Sequence, residues 1–287
     1  MAVSKLNLGL ADLTVAMLDG RSIVTQQYSQ APLQLHRPLY VDGDDYPTVF
    51  LKTPSAGLLG GDKHQLRLYA SRNATIKMLN QSATLVYPGP SEQDIEIYIE
   101  DGATVFFEPC PLILAAGASL VQTVRITMHP GSKLKYIDEW SAGRIAMNEC
   151  FRFQRFDNTI EIWVGGALQY REHFVLEPLK NKPGSELICH HYTRFKSVYQ
   201  IGPWEDGIGP SGQSHGSNDF LEPSGQMQSS KDFLEPAALS QPPASVFEGG
   251  RQIESAEEGC LAWRLKRPCG TIDRLLSMPS TTQTIAD

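Results

Sequence analysis

Apolar and polar residues alternate with a period of two through the first two thirds of the chain. In Asp94–Glu100 isoleucines occupy every second position, and the same alternation recurs at 6–10 and 124–128. Alternation of this kind is typical of β-strands that have one buried and one exposed face. Asp19-Gly20, which lies between two such runs, is typical of a hairpin turn. The pattern predicts a mainly β protein.

A second regularity is a small-residue motif that opens a strand-like run every 15 and then 14 residues. Glycine and a small residue precede a polar and an aliphatic position at 102–105, 117–120 and 131–134, with weaker copies at 73–76 and 166–168. Repetition at this period predicts strands stacked in successive layers, as in a solenoid or two-layer β-helix. A plain β-sandwich is the alternative, since its turns also recur regularly.

The composition changes after the first 201 residues. Gly, Ser, Pro and Gln become frequent over 202–258, and such a segment cannot bury enough apolar area to offset its chain entropy. We therefore predict a β-rich scaffold domain at 1–201, a flexible insertion at 202–258, and a segment at 259–287 that packs back on the scaffold. We expect this last segment to form a strand and then a short helix from Thr271, so the fold would contain one or two short α-helices.

Composition and charge narrow the function classes. The chain has 287 residues and is 41% hydrophobic, which allows a sizeable core, and its net charge of −7 argues against nucleic acid or an acidic membrane surface as main partner. Five cysteines without a C-x-x-C pair argue against a disulfide framework or a structural zinc site. The sequence shows neither a signal-peptide pattern nor an apolar run of membrane-spanning length, so we expect a soluble cytoplasmic protein.

The common catalytic motifs are absent from the sequence. It contains no G-x-S-x-G, no phosphate-binding G-x-x-x-x-G-K-S/T, no G-x-G-x-x-G after a strand and no H-E-x-x-H, which favours a non-catalytic protein. Cys189 and His191 would share one face of a strand and would offer donors suited to nickel, copper or zinc. The alternative is that both are ordinary core residues.

A charged segment at 136–149 follows an apolar run and contains the adjacent carboxylates Asp138 and Glu139. Strand interiors rarely contain Asp or Gly, so we expect the chain to leave the sheet at 138–143 and to re-enter it near Cys150. Junctions of this kind often hold binding groups on a rigid scaffold.

Five motifs occur in a fixed order along the chain. They are Ala31-Pro32-Leu33 with Arg37-Pro38-Leu39-Tyr40, Gly57–Asp62, Phe107–Ile113, Gly143–Glu149, and Tyr170-Arg171-Glu172 with Leu176-Glu177-Pro178. Together they resemble the urease accessory protein family called UreD or UreH. The resemblance covers roughly 6–200 and returns more loosely at 260–276.

The resemblance implies stacked β-strands in a helix-like arrangement and no catalysis by this chain. It implies a scaffold that bridges apo-urease and a nickel-carrying GTPase of the UreG type, with a helical accessory protein of the UreF type between them. It further implies nickel in transit through an internal passage, with no permanently bound cofactor. Oxygen and imidazole donors that are few and exchangeable suit such transit.

Site residues are carried over by position in these motifs. The glycine-rich motif implies Asp62 as a candidate residue of the nickel passage, and the motif at 143–149 implies Glu149, supported by Arg144. The family's usual glutamate falls on Asp138, whereas this chain places its glutamate at Glu139. Alternation sends these two side chains to opposite faces of the strand, so either one is a candidate for the passage.

Two other functions remain as alternatives. A β-solenoid module that binds carbohydrate or peptide would need an exposed aromatic stripe. A metal-dependent hydrolase would use Cys189, His191 and a carboxylate, and the same two residues are the weaker candidates for nickel binding.

Overall fold

The computed structural model describes residues 7–55, 57–178, 180, 192–204, 251–252, 260–267 and 270–277. These residues form eighteen β-strands and one short 3-10 turn at Ile145–Met147, so the protein is mainly β. The strands are β1 (Asn7–Leu18), β2 (Arg21–Gln30), β3 (Gln34–Leu35), β4 (Thr48–Lys52), β5 (Asp62–Ala70), β6 (Thr75–Asn80), β7 (Thr84–Val86), β8 (Gly89–Ile99), β9 (Thr104–Glu108), β10 (Leu112–Leu114), β11 (Ala118–Met128), β12 (Lys133–Ser141), β13 (Arg155–Val164), β14 (Ala167–Leu176), β15 (Arg194–Ile201), β16 (Arg251–Gln252), β17 (Cys260–Arg267) and β18 (Gly270–Ser277).

The strands form two sheets. The first has the order β14-β13-β11-β8-β5-β1-β2, and the second has the order β16-β17-β18-β15-β12-β9-β6-β4-β3, with β7 and β10 joined beside β12. Apart from the short β7 and β10, successive strands from β4 to β13 alternate between the two sheets. As a result, strands that neighbour each other in the central part of each sheet pair in parallel.

The repeated motif of the sequence marks the starts of strands. Its three strong copies lead into β9, β11 and β12, and the weaker copies lead into β6 and β14. At the turns, Gly102 has φ +69°, Gly117 has φ +78° and Asn73 has φ +61°. Glycine and asparagine enter this left-handed region more readily than other residues. The prediction that each copy opens a strand after a turn is confirmed.

The predicted α-helices are absent from the described residues. The helix expected from Thr271 is wrong, because Gly270–Ser277 is a strand that pairs antiparallel with β15 on one side and β17 on the other. Pairing on both sides satisfies the backbone groups and covers the edge of β15, which a helix would leave open. Within the described residues, no helix is long and apolar enough to cross a membrane.

All of the described strands belong to one compact unit formed by Met1–Pro203 and Gly250–Asp287. Of the insertion predicted at 202–258, the structure describes only 202–204 and 251–252. The flexibility of that insertion stays a prediction.

The charged segment after residue 136 follows the predicted path only in part. The chain leaves the sheet after Ser141, within the predicted range 138–143, but β13 begins at Arg155, so the predicted re-entry near Cys150 is wrong; the 3-10 turn at Ile145–Met147 and the Arg144–Glu149 pair keep the chain in a loop there. Asp138 itself remains within β12, where three side-chain donors meet its carboxylate inside the protein. Hydrogen bonds of this kind offset much of the cost of burying a polar group.

Candidate functional site

Four polar side chains stand side by side on the inner face of the first sheet, and we call them the polar row. The polar row consists of His64, Gln93, Gln122 and Asn158, each paired in register with the next. Adjacent strands lie about 4.8 Å apart, so the three steps of the row span about 14 Å. A continuous polar line of this length through the interior of a β protein is unusual, because inward positions are normally apolar.

The polar row lies between two apolar clusters of the core. On β11, Gln122 stands between Leu120 of the smaller cluster and Val124 of the larger one. On β13, and on β12 in the second sheet, a polar residue likewise stands between one residue of the smaller cluster and one residue of the larger cluster. The interior is therefore divided by a polar layer to which both sheets contribute.

Asp138 is the contribution of the second sheet to this layer. Gln122 Nε2 donates to its Oδ1 at 3.0 Å, Asn158 Nδ2 donates to its Oδ2 at 3.1 Å, and the Tyr136 hydroxyl donates to Oδ1 at 3.3 Å. The pKa of Asp138 is raised from 3.8 to about 6, mainly by burial and then by the charge of Glu172, while the three hydrogen bonds act in the opposite direction. The ionised form of Asp138 is thus destabilised in this interior relative to water.

Glu172 on β14 is a second carboxylate near this point. It accepts hydrogen bonds from the Tyr170 hydroxyl at 2.5 Å and from the Tyr199 hydroxyl at 3.0 Å. The Tyr199 ring stacks on Tyr136, with 5.6 Å between the ring centroids. Since two carboxylates repel each other in a low-dielectric region, a cation or a proton between them would relieve the repulsion.

Asp62 stands at the other end of the polar row. Gly61, with φ +92°, turns the chain into β5, and the Leu59 amide donates to Asp62 Oδ2 at 2.9 Å. The side chain is only 1% exposed, yet it contributes to the lining of an open pocket of about 560 Å³. Asp62 is two residues before His64 on the same face of β5, so it lies between the pocket and the polar row.

Glu139 points away from this layer. It lies on the outer face of β12 and its carboxylate pairs with the Lys196 ammonium at 3.5 Å. Asp138 and Glu139 therefore occupy opposite faces of the strand, as the alternation predicts. Of the two, Asp138 is the one that meets the polar row.

Arg144 and Glu149 form a pair in the loop after β12. The guanidinium contacts the two carboxylate oxygens at 2.7 and 2.5 Å, and the Ala116 amide donates to Glu149 at 3.4 Å. The pairing lowers the pKa of Glu149 and raises that of Arg144. Gly143, with φ +144°, allows this loop to close, because a Cβ there would lie 2.2 Å from the Glu149 carbonyl oxygen. This pair belongs to the loop and not to the polar row.

Cys189 and His191, the weaker metal candidates, lie outside the described residues. In the part of the chain that the structure describes, no group of three or more His, Cys, Asp and Glu side chains is arranged to hold a metal ion.

Sequence reasoning missed the polar row and the role of Glu172 as the neighbour of Asp138. One signal for the row was available, because His64, Gln93 and Gln122 follow one another at the 29-residue step that separates paired residues of β5 and β8. Each of the three is a polar residue at an inward position of an apolar alternation. Asn158 lies outside that step, so only the pairing of β11 with β13 reveals it.

Comparison with known proteins identifies one family. The family described as UreD urease accessory protein matches residues 7–232 of this chain. This range includes all residues of the polar row, together with Asp62, Asp138 and Glu172.

Individual relatives give the same result. The urease accessory protein UreD 2 of Synechococcus sp. (strain JA-3-3Ab) is 30% identical over 195 residues, which cover 64% of this chain and 71% of that protein. The urease accessory protein UreD of Halalkalibacterium halodurans is 30% identical over 175 residues, covering 59% and 65%. The urease accessory protein UreH of Helicobacter acinonychis is 27% identical over 186 residues, covering 64% and 70%.

Proposed function

Because the chain belongs to the UreD family of urease accessory proteins, we propose that it is a non-catalytic maturation factor that helps to conduct nickel into apo-urease. The observation that carries this proposal is the polar row, which crosses the core with Asp62 beside its His64 end and Asp138 hydrogen-bonded to its Gln122 and Asn158 end. A folded protein gains stability from an apolar interior, so a polar layer of this length needs a functional reason.

The chemistry of the row suits an ion in transit. Carboxylate and amide oxygens and one imidazole are donors that a divalent nickel ion accepts. Neighbouring strands place successive donors about 4.8 Å apart, so an ion can exchange one donor for the next. Transport requires sites that bind well enough to admit the ion and weakly enough to release it. Isolated donors in a row meet that requirement better than a complete ligand cage.

Asp138 and Glu172 give the row a negatively charged end. Burial and, after it, the repulsion by Glu172 raise the pKa of Asp138, and a divalent cation that arrives there would offset both by its positive charge. Departure of the ion would restore the repulsion between the Asp138 and Glu172 carboxylates, so that repulsion is offset only while the ion is bound. Nickel is therefore cargo in this proposal and not a resident cofactor.

The proposed setting is a complex in the cytoplasm. The chain would bridge apo-urease and a nickel-carrying GTPase of the UreG type, with a helical UreF-type protein between them. The alternation of successive strands between two sheets supports a β-helix-like scaffold, and between β4 and β12 a step of 29 residues adds one strand to each sheet. The family match gives no support to the carbohydrate- or peptide-binding alternative.

Asp138→Asn tests the passage. The change keeps the size of the side chain but removes its charge, so urease activation should fall by about tenfold or more, as losses around metal ligands do. Activation is measured as urease activity after co-expression with the UreF-type and UreG-type partners. Retention of the variant on a pull-down with tagged partners shows that the complex still assembles.

Glu139→Gln is the matched control for that variant. It removes a carboxylate from the next position of the same strand, on the face turned away from the polar row, and activation should remain near the wild-type level. Equal activation by both variants would remove Asp138 from the passage. Failure of the partners to retain the wild-type chain would refute the maturation role itself.

A further inference from the structure

Three buried polar atoms at the mouth of the polar row have no hydrogen-bond partner among the described residues. They are Asp62 Oδ1, His64 Nε2 and Gln93 Oε1. Asp62 is 1% and His64 3% exposed. Buried polar atoms are nearly always hydrogen-bonded, so three orphaned atoms at neighbouring positions indicate that something else meets them.

The three residues adjoin one another. Asp62 and His64 are two positions apart on the inner face of β5, and Gln93 is the paired neighbour of His64 on β8. Positions two apart along a strand are separated by about 6.5 Å, and paired positions by about 4.8 Å. Metal–ligand bonds of about 2.0–2.2 Å to nitrogen and oxygen can bridge such separations when the side chains converge.

The electrostatics favour a cation at this place. In the tautomer that carries its proton on Nδ1, the buried and unpartnered Nε2 atom of His64 presents a lone pair for coordination. The neighbouring Asp62 carboxylate supplies a negative charge. Asp62 also lines the open pocket, whose other lining residues are both polar and apolar: Asn7, Gln30 and Ser55, and Leu8, Ala31, Pro32 and Leu59. An ion that enters the pocket can therefore reach the Asp62 carboxylate.

We propose that Asp62 and His64 form a metal-selecting site at the mouth of the polar row, with the Gln93 amide oxygen as an auxiliary donor. An imidazole beside a carboxylate favours Ni²⁺, Co²⁺ and Zn²⁺ over Mg²⁺ and Ca²⁺, which prefer oxygen alone. The inference rests on the proposed function and deepens it, because it makes His64 the residue that selects a nickel-type ion at the entry. The ion passes from this site to Gln93 and then along the row.

The direct test observes the His64 ring in the full chain. Protein labelled with ¹⁵N-histidine is titrated with Ni²⁺ alone, and the signal absent from His64→Leu identifies His64. Paramagnetic Ni²⁺ should broaden that signal at substoichiometric concentration. Asp62→Asn should weaken the effect at least about tenfold, as the loss of a group that supports a metal does. A His64 signal that persists in excess Ni²⁺ overturns the proposal and leaves buried water as the partner of the three atoms.

Thermal unfolding gives a second readout that does not depend on spectral assignment. A ligand that binds only the folded state raises Tm, so Ni²⁺ should stabilise the wild type, and Mg²⁺ at the same concentration should not. His64→Leu should lose most of the Ni²⁺-dependent rise. His36→Leu, a change of an exposed histidine in the same chain, should keep that rise. Equal rises in both variants would overturn the proposal.

The outcomes separate this inference from the proposed function. If Ni²⁺ leaves the His64 signal unchanged but Asp138→Asn still abolishes urease activation, the selecting site is wrong and the maturation role stands. If Ni²⁺ broadens the His64 signal but the chain does not support urease activation, the site stands and the maturation role is wrong.

Discussion

Asp138 is a carboxylate held inside the protein by two side-chain amides and a phenol. Its three donors are neutral, so no positive charge offsets the cost of burying the carboxylate, and the like charge of Glu172 adds to that cost. Burial first and the Glu172 charge second therefore raise its pKa to about 6, well above the value of an exposed aspartate. The folded state therefore binds a proton more tightly at this position than the unfolded state does.

This difference predicts an unusual dependence of stability on pH. Between the unfolded pKa of 3.8 and the folded pKa of about 6 the folded state carries more protons, so the contribution of Asp138 to stability is lost as the pH rises. The free energy of unfolding of the wild type, relative to Asp138→Asn, should fall by about 2–3 kcal/mol between about pH 4 and pH 7. Denaturant unfolding of both proteins at several pH values measures it.

The comparison with Asp138→Asn isolates this one group. His64 titrates with the opposite sign, because its lowered pKa makes the folded state lose stability as the pH falls, but that contribution is common to both proteins. A pH-independent difference between the two proteins would show that the Asp138 carboxylate stays ionised through the range and that its surroundings stabilise the charge.

At the scale of elements, the turn that opens β9 is tightly packed against the turn that opens β6. Gly102 has φ +69°, and a Cβ at this position would lie 2.1 Å from Asn73 Oδ1. The two residues occupy the same position in successive copies of the repeat. The contact between Gly102 and Asn73 therefore leaves room for the hydrogen atom of glycine at position 102 but not for the methyl group of alanine.

Gly102→Ala should lower the free energy of unfolding through both backbone strain and this contact. The left-handed φ alone costs about 1–2 kcal/mol for a residue with a Cβ, and the displaced Asn73 side chain adds to it. Gly20→Ala is the matched control, since Gly20 has φ +80° and nothing lies within 4 Å of the place that a Cβ would take there. Denaturant unfolding should show a larger loss for Gly102→Ala; equal losses would show that the copies do not need close contact.

Elements were predictable from the sequence wherever the signal is local. The alternation around Ile97 indicates a strand, and the recurring glycines indicate its neighbours, so the mainly β fold follows from the residues themselves. The helix from Thr271 was wrong because its alternative, a strand between β15 and β17, depends on distant partners. The burial of Asp138 has the same origin, since its donors Gln122 and Asn158 lie 16 and 20 residues away. Only the register of the sheets brings them together.

At the scale of the whole molecule, the C-terminal strands complete the core that the first 200 residues build. β18 is hydrogen-bonded to β15, and Ile272 within it is 2% exposed and belongs to the larger apolar cluster. The strand thus joins a distant part of the chain to the cluster that lies on one side of the polar row. Its removal would expose both the edge of β15 and apolar surface.

Ile272→Ala should lower the free energy of unfolding by about 2–4 kcal/mol, through lost burial and the cavity that remains. Leu168→Ala, at a position 42% exposed on the edge strand β14, should change it by no more than about 0.5 kcal/mol. Both values come from denaturant unfolding. Similar small effects at the two positions would indicate that β18 unfolds separately from the rest of the β unit.

The 29-residue step between paired strands relates the length of the polar row to the length of the sequence that forms it. His64, Gln93 and Gln122 each stand one 29-residue step from the next, so this part of the row gains one position with each step, whereas Asn158 follows Gln122 after 36 residues. Insertion of one whole 29-residue step would lengthen the row by about 4.8 Å and keep its polar face inward, whereas a single inserted residue within a strand would turn that face outward. The length of this part of the polar row can therefore change without disturbing its inward face only by whole 29-residue steps.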